Sequence, residues 1–386
     1  MRLATKALLA LLLPAGLAAQ TSAPADTVKK PVSVTIPIDF SGVVFGNYQY
    51  QGAGASKGQN KFDLERAYLT FKMPAGDRAS IRVTGDVYQQ TSSGSDAYYK
   101  GWVLRAKYAY LQYDWVKAAK AADWGFTTRI GLVHTMFIDH EENFWPRWLS
   151  QTPVERAGFF SSADAGIAGI VSFPNKMGEV YTAITNGPGY ASRETDRFKD
   201  YQARVTLTPL GTSDVSYLKS FAIDGWVYRG ALASKYVSGG AGQVGPVGAS
   251  LDRNRYGGFV GIRDPRLVVG VDYAQRQDGI DTGANTAASP RSVSDSTGRL
   301  ISGYVVAKPF LMADPKAGIP IGFVVRYDQL TPNTATSPKV NTFIGGVTYD
   351  LNKRSSFSFD YQSVTPANGS PAPTTKTYFM HWVANF

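Results

Sequence analysis

The chain has 386 residues, including 39 Gly, 21 Pro, 22 Tyr and 20 Phe, no Cys, and 40 Lys and Arg against 30 Asp and Glu for a formal net charge of +10. So many aromatic residues with only 18% charged ones exclude a disordered chain, and the Gly and Tyr content argues against a helical one. The lack of cysteine removes disulfides, thiolate metal sites and Cys nucleophiles together, and beyond the N-terminus no apolar run reaches the ~18 residues of a membrane-crossing helix.

Residues 1–19 read MRLATKALLALLLPAGLAA. Arg2 and Lys6 give a positive start, Leu8 to Leu13 an apolar stretch, and Ala18-Ala19 a small-residue cleavage site. This pattern predicts a secretory signal peptide, and the stretch is too short for a membrane anchor. Residues 20–37 are rich in Thr, Ser, Pro and Ala and read as a flexible lead-in.

From Ile38 the chain repeats one pattern, a run alternating apolar with polar or small residues, then a turn or loop. Period 2 is the signature of a strand with two different faces. Ile81, Val83, Gly85 and Val87 alternate with Arg82, Thr84, Asp86 and Tyr88; Phe323, Val325 and Tyr327 alternate with Val324, Arg326 and Asp328. Sixteen strands are predicted, over 38–50, 61–73, 78–89, 104–116, 126–133, 165–173, 178–187, 198–208, 220–230, 253–264, 266–276, 298–309, 320–330, 339–351, 355–364 and 374–386. Most are near the ~9–11 residues a tilted strand needs to cross a hydrocarbon core, and the even count is that of bacterial barrels. Tight turns (Pro74 to Asp77, Pro174 to Met177, Asp264-Pro265, Asn352 to Arg354) alternate with loops over 51–60, 90–103, 134–164, 188–197, 231–252, 277–297, 331–338 and 365–373. Short periplasmic turns and long outer loops alternate in this way in outer-membrane barrels. Lipid leaves no backbone group a water partner, so a sheet spanning it must close. The predicted fold is therefore an all-β, 16-stranded antiparallel transmembrane barrel over 38–386.

The last run places Tyr378, Met380, Trp382, Ala384 and Phe386 on one face, an apolar stripe with aromatics near both ends. A terminal Phe on such a strand resembles the signal that the bacterial barrel-assembly machinery reads. With Phe62-Asp63-Leu64-Glu65-Arg66-Ala67-Tyr68-Leu69-Thr70, Arg82-Val83-Thr84-Gly85-Asp86, Ser162 to Gly166, Ile184 to Tyr190 and Lys199 to Arg204, the chain resembles the bacterial porins, and more narrowly the phosphate-selective porin O/P-like group. The resemblance runs from about Phe40 to Phe386. It implies passive diffusion of small hydrophilic solutes or ions, a Gram-negative outer membrane, commonly a homotrimer, and a long loop folded inward to narrow the lumen. It does not name phosphate as the solute.

The loop over 134–164 is the candidate for that constriction. Loops of this length are usually functional, and a sixteen-stranded lumen is too wide for wall side chains to fill. Its candidate pore-lining residues are Asp139, Glu141, Glu142, Arg147, Glu155 and Arg156, with Trp145 and Trp148 as anchors on the inner wall. By parity the wall offers Arg66, Arg82, Arg129, Arg204 and Arg326. At mid-bilayer an outward Arg costs ~2–4 kcal/mol, which is why these side chains are placed inside. A ring of cations favours anions. Asp86, Asp114, Asp224, Asp272, Asp328 and Asp360 share the same faces, which departs from a purely cationic ladder and leaves phosphate preference open.

Basic charge in the outer loops suits lipopolysaccharide phosphates. No basic run with interleaved aromatics points to nucleic acid. No cofactor and no enzyme activity is expected. His134 and His140 flank Asp139 and Glu141 at a spacing that matches no metal motif, and Ser358, on the same face as His381 one strand earlier, carries no nucleophile signature. The alternatives are a non-conducting outer-membrane binding or adhesion barrel using loops 231–252 and 277–297, and a secreted sugar-binding β-protein.

Overall fold

A sheet that is apolar on one face and polar on the other hides its edges by closing on itself. The computed structural model describes residues 37–90, 101–118, 120, 122–194, 196–233, 250–284, 286–314, 316, 318–367, 370 and 372–386. The predicted leader over 1–19, the lead-in over 20–37 except for Pro37, and most of loops 90–103 and 231–252 lie outside the described residues.

Sixteen antiparallel strands form one closed barrel in chain order. They are β1 (Asp39–Ala53), β2 (Asn60–Pro74), β3 (Ala79–Gln90), β4 (Gly101–Val116), β5 (Gly125–His134), β6 (Ala163–Ser172), β7 (Gly178–Thr185), β8 (Asp200–Leu207), β9 (Ala222–Ala233), β10 (Ser250–Asp264), β11 (Leu267–Thr282), β12 (Ser292–Ala307), β13 (Ile321–Thr331), β14 (Val340–Asn352), β15 (Ser355–Pro366) and β16 (Thr375–Asn385). At the seam β1 pairs with β16 from Val43↔Asn385 onward, and Gly42 and Phe386 exchange both backbone bonds at 2.9 Å. The Phe386 ring lies over Gly42, where an added Cβ would sit 2.3 Å from it.

The strand spans agree closely with the alternation, with one clear exception. Most of 277–297, predicted as loop, is ladder, and β11 and β12 pair out to Thr282↔Ser292. That extension is made mostly of Gln, Asp, Ser, Thr and Gly, with Ile280 and Val293 between them, so no hydrophobic period marks it; backbone pairing carries it, helped by Gln277–Asp295 at 2.8 Å and Arg291–Asp281 at 2.7 Å. At the opposite end of the barrel, two connections carry a helical turn each, α3 (Ser216–Lys219) and α4 (Pro309–Ala313), completing a set begun by α1 (Ile138–Glu141) and α2 (Pro153–Arg156) in the loop after β5.

The outer face is apolar and open. Leu104, Ile130, Val271 and Phe359 are each more than half exposed, far more apolar surface than a water-soluble monomer shows. Aromatic pairs mark both rims: Phe40–Phe71 at 4.9 Å and Trp124–Phe173 at 5.4 Å on the turn side, Tyr48–Phe62 at 4.9 Å and Tyr361–Tyr378 at 5.3 Å on the loop side. The core lies inside the barrel, between one wall and the loop after β5.

Two glycines make that core possible. Trp226 lies over its cross-strand neighbour Gly257 and Tyr304 over Gly270, each ring 2.3 Å from where a Cβ would be. Tyr304 is held from above by Trp145 at 5.1 Å, so it has nowhere to retreat. Gly270→Ala is expected to cost about 1–3 kcal/mol through overpacking. The urea midpoint of the detergent-folded barrel would read it, and an unchanged midpoint would show the ring free to move.

Candidate functional site

The β5–β6 connection does not rise away from the barrel; it turns into it. Thr135 N donates to Ser162 O at 3.1 Å and Thr135 Oγ1 to Ser161 O at 2.6 Å, fastening the loop at its base. Met136 N then donates to Gln202 Oε1 on β8 at 3.1 Å, which commits the chain to cross the lumen. Pro153 sits in the first turn of α2, where its missing N–H costs nothing.

Apolar side chains fix the crossing. Phe137 packs on Trp226 (5.7 Å) and Phe259 (6.0 Å), Phe144 on Phe259 (4.9 Å), Trp145 on Tyr304, and Phe160 on Trp226 (5.4 Å). Polar tethers follow at the far side. Arg326 Nη1 donates to Gln151 O at 2.6 Å, Gln362 Nε2 to Leu149 O at 3.1 Å, and Arg156 Nη1 to Gln362 Oε1 at 3.2 Å. Arg147 reaches Glu65 on β2 at 3.3 Å and also faces Glu155 (3.4 Å) and Glu142 (3.8 Å). The loop is thus pressed against β9–β15, and open space is left beside β2–β8.

Register gives the covered wall a belt of acids. Thr206, Asp224, Phe259, Asp272, Ser302 and Asp328 are successive cross-strand partners on β8 to β13. Asp224 meets His140 Nε2 at 3.0 Å, with Arg204 at 3.9 Å; Asp328 is gripped by Arg326 through contacts of 2.6–3.0 Å. Asp272 and the loop's Glu141 are buried beside each other, and all four of their carboxyl oxygens lack a hydrogen-bond partner. Burial, reinforced by the neighbouring Asp272, pushes the Glu141 carboxyl well above its ordinary range.

The open side carries cations laid on tyrosine rings. Arg82 lies 4.7 Å from the Tyr108 ring, Arg129 5.1 Å from Tyr110 and Lys107 4.2 Å from Tyr68. Each ring's negative face steadies the charge above it. Arg66 (3.8 Å) and Arg105 (3.0 Å) share Asp86, and Arg204 pairs with Glu179. Arg82 and Arg129 differ from these. Their partners are Thr84, Gln112 and the two nitrogens of His134, and neither makes an ion pair among the described residues. His134 Nε2 lies 3.1 Å from Asp139 Oδ1; with that N–H given to Asp139, Nδ1 accepts from Arg129, and the 3.2 Å approach of Arg82 Nη1 to Nε2 is a contact rather than a hydrogen bond.

Two cavities border these groups on the turn side. One of about 860 Å³ is lined by Arg129, Asp139 and Arg204, and one of about 560 Å³ by Arg82, Asp114 and Arg129. A third of about 320 Å³ lies by Arg66, Glu65 and Arg147. Glu142, with Lys107 at 4.0 Å, faces the same side, and burial raises its carboxyl above the ordinary range.

The five wall arginines and six loop residues singled out from the sequence all belong to this assembly, but not all to its open face. Arg326 and Glu141 are 0% exposed between loop and wall, a correction to their expected place on the lumen surface; the loop covers β13 and takes α1 with it. Sequence parity missed Lys107 and Glu65. Each is the extra residue of a β-bulge, between Thr84↔Tyr108 and Gly85↔Ala106 and between Phe45↔Arg66 and Gly46↔Leu64, so strict alternation points it the wrong way. A signal for Lys107 existed, since parity would put an ammonium in lipid. His134 and His140 part company, toward Asp139 and Asp224, and no group of three metal-type ligands gathers among the described residues. Ser358 Oγ and His381 Nδ1 both bond Asp360 at 2.7 Å rather than each other, an arrangement that leaves the serine without a base.

No protein-family model and no curated protein matches the chain. Solved structures do share the fold. An anion-selective porin from Comamonas acidovorans superposes with a TM-score of 0.60 at 9% identity, over 91% of this chain and 100% of its own. Salmonella typhi OmpF, in complex with daunomycin, gives 0.60 at 12% over 90% and 97%, and the outer membrane channel DcaP of Acinetobacter baumannii 0.56 at 13% over 91% and 97%.

Proposed function

We propose that this barrel is an outer-membrane diffusion channel for small hydrophilic solutes and that it prefers anions. The observation that carries the proposal is the lumen itself. A loop narrows it, yet the remaining space is bordered by charges rather than packed shut. The anion preference rests on Arg82 and Arg129, which reach the cavities with no carboxylate of their own, while most wall acids are matched by a cation. The apolar outer face and aromatic rims suit lipid, and the fold shared with an anion-selective porin and an outer membrane channel is in keeping with this reading. The proposal extends to export through residues 1–19, delivery of the Phe386 strand to the barrel-assembly machinery of a Gram-negative cell, contact with lipopolysaccharide, and a homotrimer. Phosphate-like solutes fit the half-buried guanidinium groups of Arg82 and Arg129 that border the cavities.

Reversal potential in a planar bilayer under a KCl gradient tests it. Steady conductance with a chloride-favouring potential is the expected result. Cation preference would keep the channel and remove the arginine argument. A folded barrel that passes no current would point to the binding or adhesion alternative.

A further inference from the structure

Along the acid belt each carboxylate is answered from the loop or the wall. Asp224 has His140 and Arg204, and Asp328 has Arg326. Asp272, between them in register, faces Glu141, another acid. Glu141 is 0% exposed and Asp272 1%, and none of their oxygens makes a hydrogen bond of ordinary geometry among the described residues. Two bare carboxylates cannot be kept in such a place, since each would need several kcal/mol of missing solvation returned by a partner. One proton between them removes the conflict and supplies the missing hydrogen bond.

We propose that Glu141 and Asp272 share a single proton, and that this carboxyl–carboxylate pair is a clasp holding the lumen loop to the wall, which opens when the proton leaves. The clasp is well placed to matter. Glu141 closes α1, its carbonyl accepts from Trp145 N at 2.9 Å, and Trp145 is wedged between Tyr304 and Arg326. The charged and titratable groups packed around the pair are Asp224 on β9, Tyr304 on β12, and Arg326 and Asp328 on β13, while His140, which bonds Asp224, and Glu142, which faces Lys107, flank Glu141 in the chain. Arg326 is committed to Asp328 and Gln151, so it does not neutralise a second charge. The Thr152 and Tyr304 hydroxyls are also buried without partners and can donate to the ionised member. A carboxyl that holds its proton more tightly in the closed form stabilises that form at low pH, and the stabilisation is lost as pH rises through its elevated value. Loss of one proton changes the ratio of released to clasped loop about tenfold per pH unit beyond that point.

The conductance reading rests on the channel function proposed above; infrared and fluorescence readings do not. The detergent-purified barrel is titrated from about pH 5 to about pH 10, a range bracketing ordinary and raised carboxyl values. Expected for the wild type are a protonated-carboxyl infrared band at neutral pH that disappears on alkalinisation, a matching change in the emission assigned to Trp145 by difference from Trp145→Phe, and a conductance step at the same pH. Glu141→Gln and Asp272→Asn should each lose the band and the step, because an amide donates permanently; having both guards against one failing to fold. The inference is overturned if the band is absent, if the step survives both substitutions, or if elemental analysis finds a stoichiometric divalent cation in place of the proton. A band and fluorescence change without current would support the clasp and refute the channel.

Discussion

Arg326→Met is expected to destabilise the barrel by about 3–5 kcal/mol, the usual cost of leaving one member of a buried ion pair alone. Arg326 is 0% exposed, bonds both oxygens of Asp328, tethers Gln151 O, and lies 4.7 Å from the Trp145 ring. Methionine keeps some of the contact with Trp145 but leaves Asp328 with Ser302 Oγ, at 2.6 Å, as its hydrogen-bond partner among the described residues. It also removes a cation that acts on the Glu141–Asp272 pair. The loop should loosen, so lower resistance to urea in lipid vesicles should accompany a larger, noisier conductance. Adding Asp328→Leu removes the stranded charge and should return most of the stability without returning the Gln151 tether. A double variant no more stable than the single one would contradict this account of Arg326.

The second large effect is electrical. Replacing Arg82 and Arg129 by Glu changes four units of charge at the border of the two larger cavities. A unit charge at about 6 Å in water is worth about 0.7 kcal/mol, and salt screens part of it. The combined effect on a passing ion is then on the order of 1–3 kcal/mol, roughly tenfold or more in relative permeability. Reversal of the zero-current potential from chloride-favouring to potassium-favouring is expected. Arg105→Glu serves as the control, since Arg105 is already spent on Asp86 and stacked between Tyr88 (3.8 Å) and Tyr190 (4.4 Å). An equal reversal in that control would show that no particular arginine sets the preference.

Much of the barrel could be read from the sequence because lipid enforces the pattern. Val83 and Arg82 cannot trade faces without a cost, so two-residue periodicity reports inside and outside directly. Where that pressure ends, legibility ends with it. The outer part of the β11–β12 hairpin carries few apolar residues and left no pattern. Bulges at Glu65 and Lys107 insert one residue and silently shift the phase. The loop's path was the least legible feature. Its aromatics mark it as something that packs, but its choice of wall depends on which inward positions are vacant. Those vacancies are Gly257 and Gly270, far away in the chain and unremarkable as letters. Glu141 and Arg326 are held inside the barrel, yet whether they touch water depended on that path.

The seam between β1 and β16 has a consequence for how the molecule comes into being. Neighbouring strands elsewhere follow one another in the chain and can pair soon after they are made, but these two are separated by almost the whole described chain. Until Gly42 and Phe386 exchange their hydrogen bonds, the polypeptide is a curled ribbon with two unsatisfied edges, each able to capture a stray strand. Local hairpins form early and the most distant contact last, because closing so long a span delays its own reward. The nascent protein therefore passes through its most aggregation-prone stage when it is nearly complete, and escort to that final pairing matters more for it than help with any single hairpin.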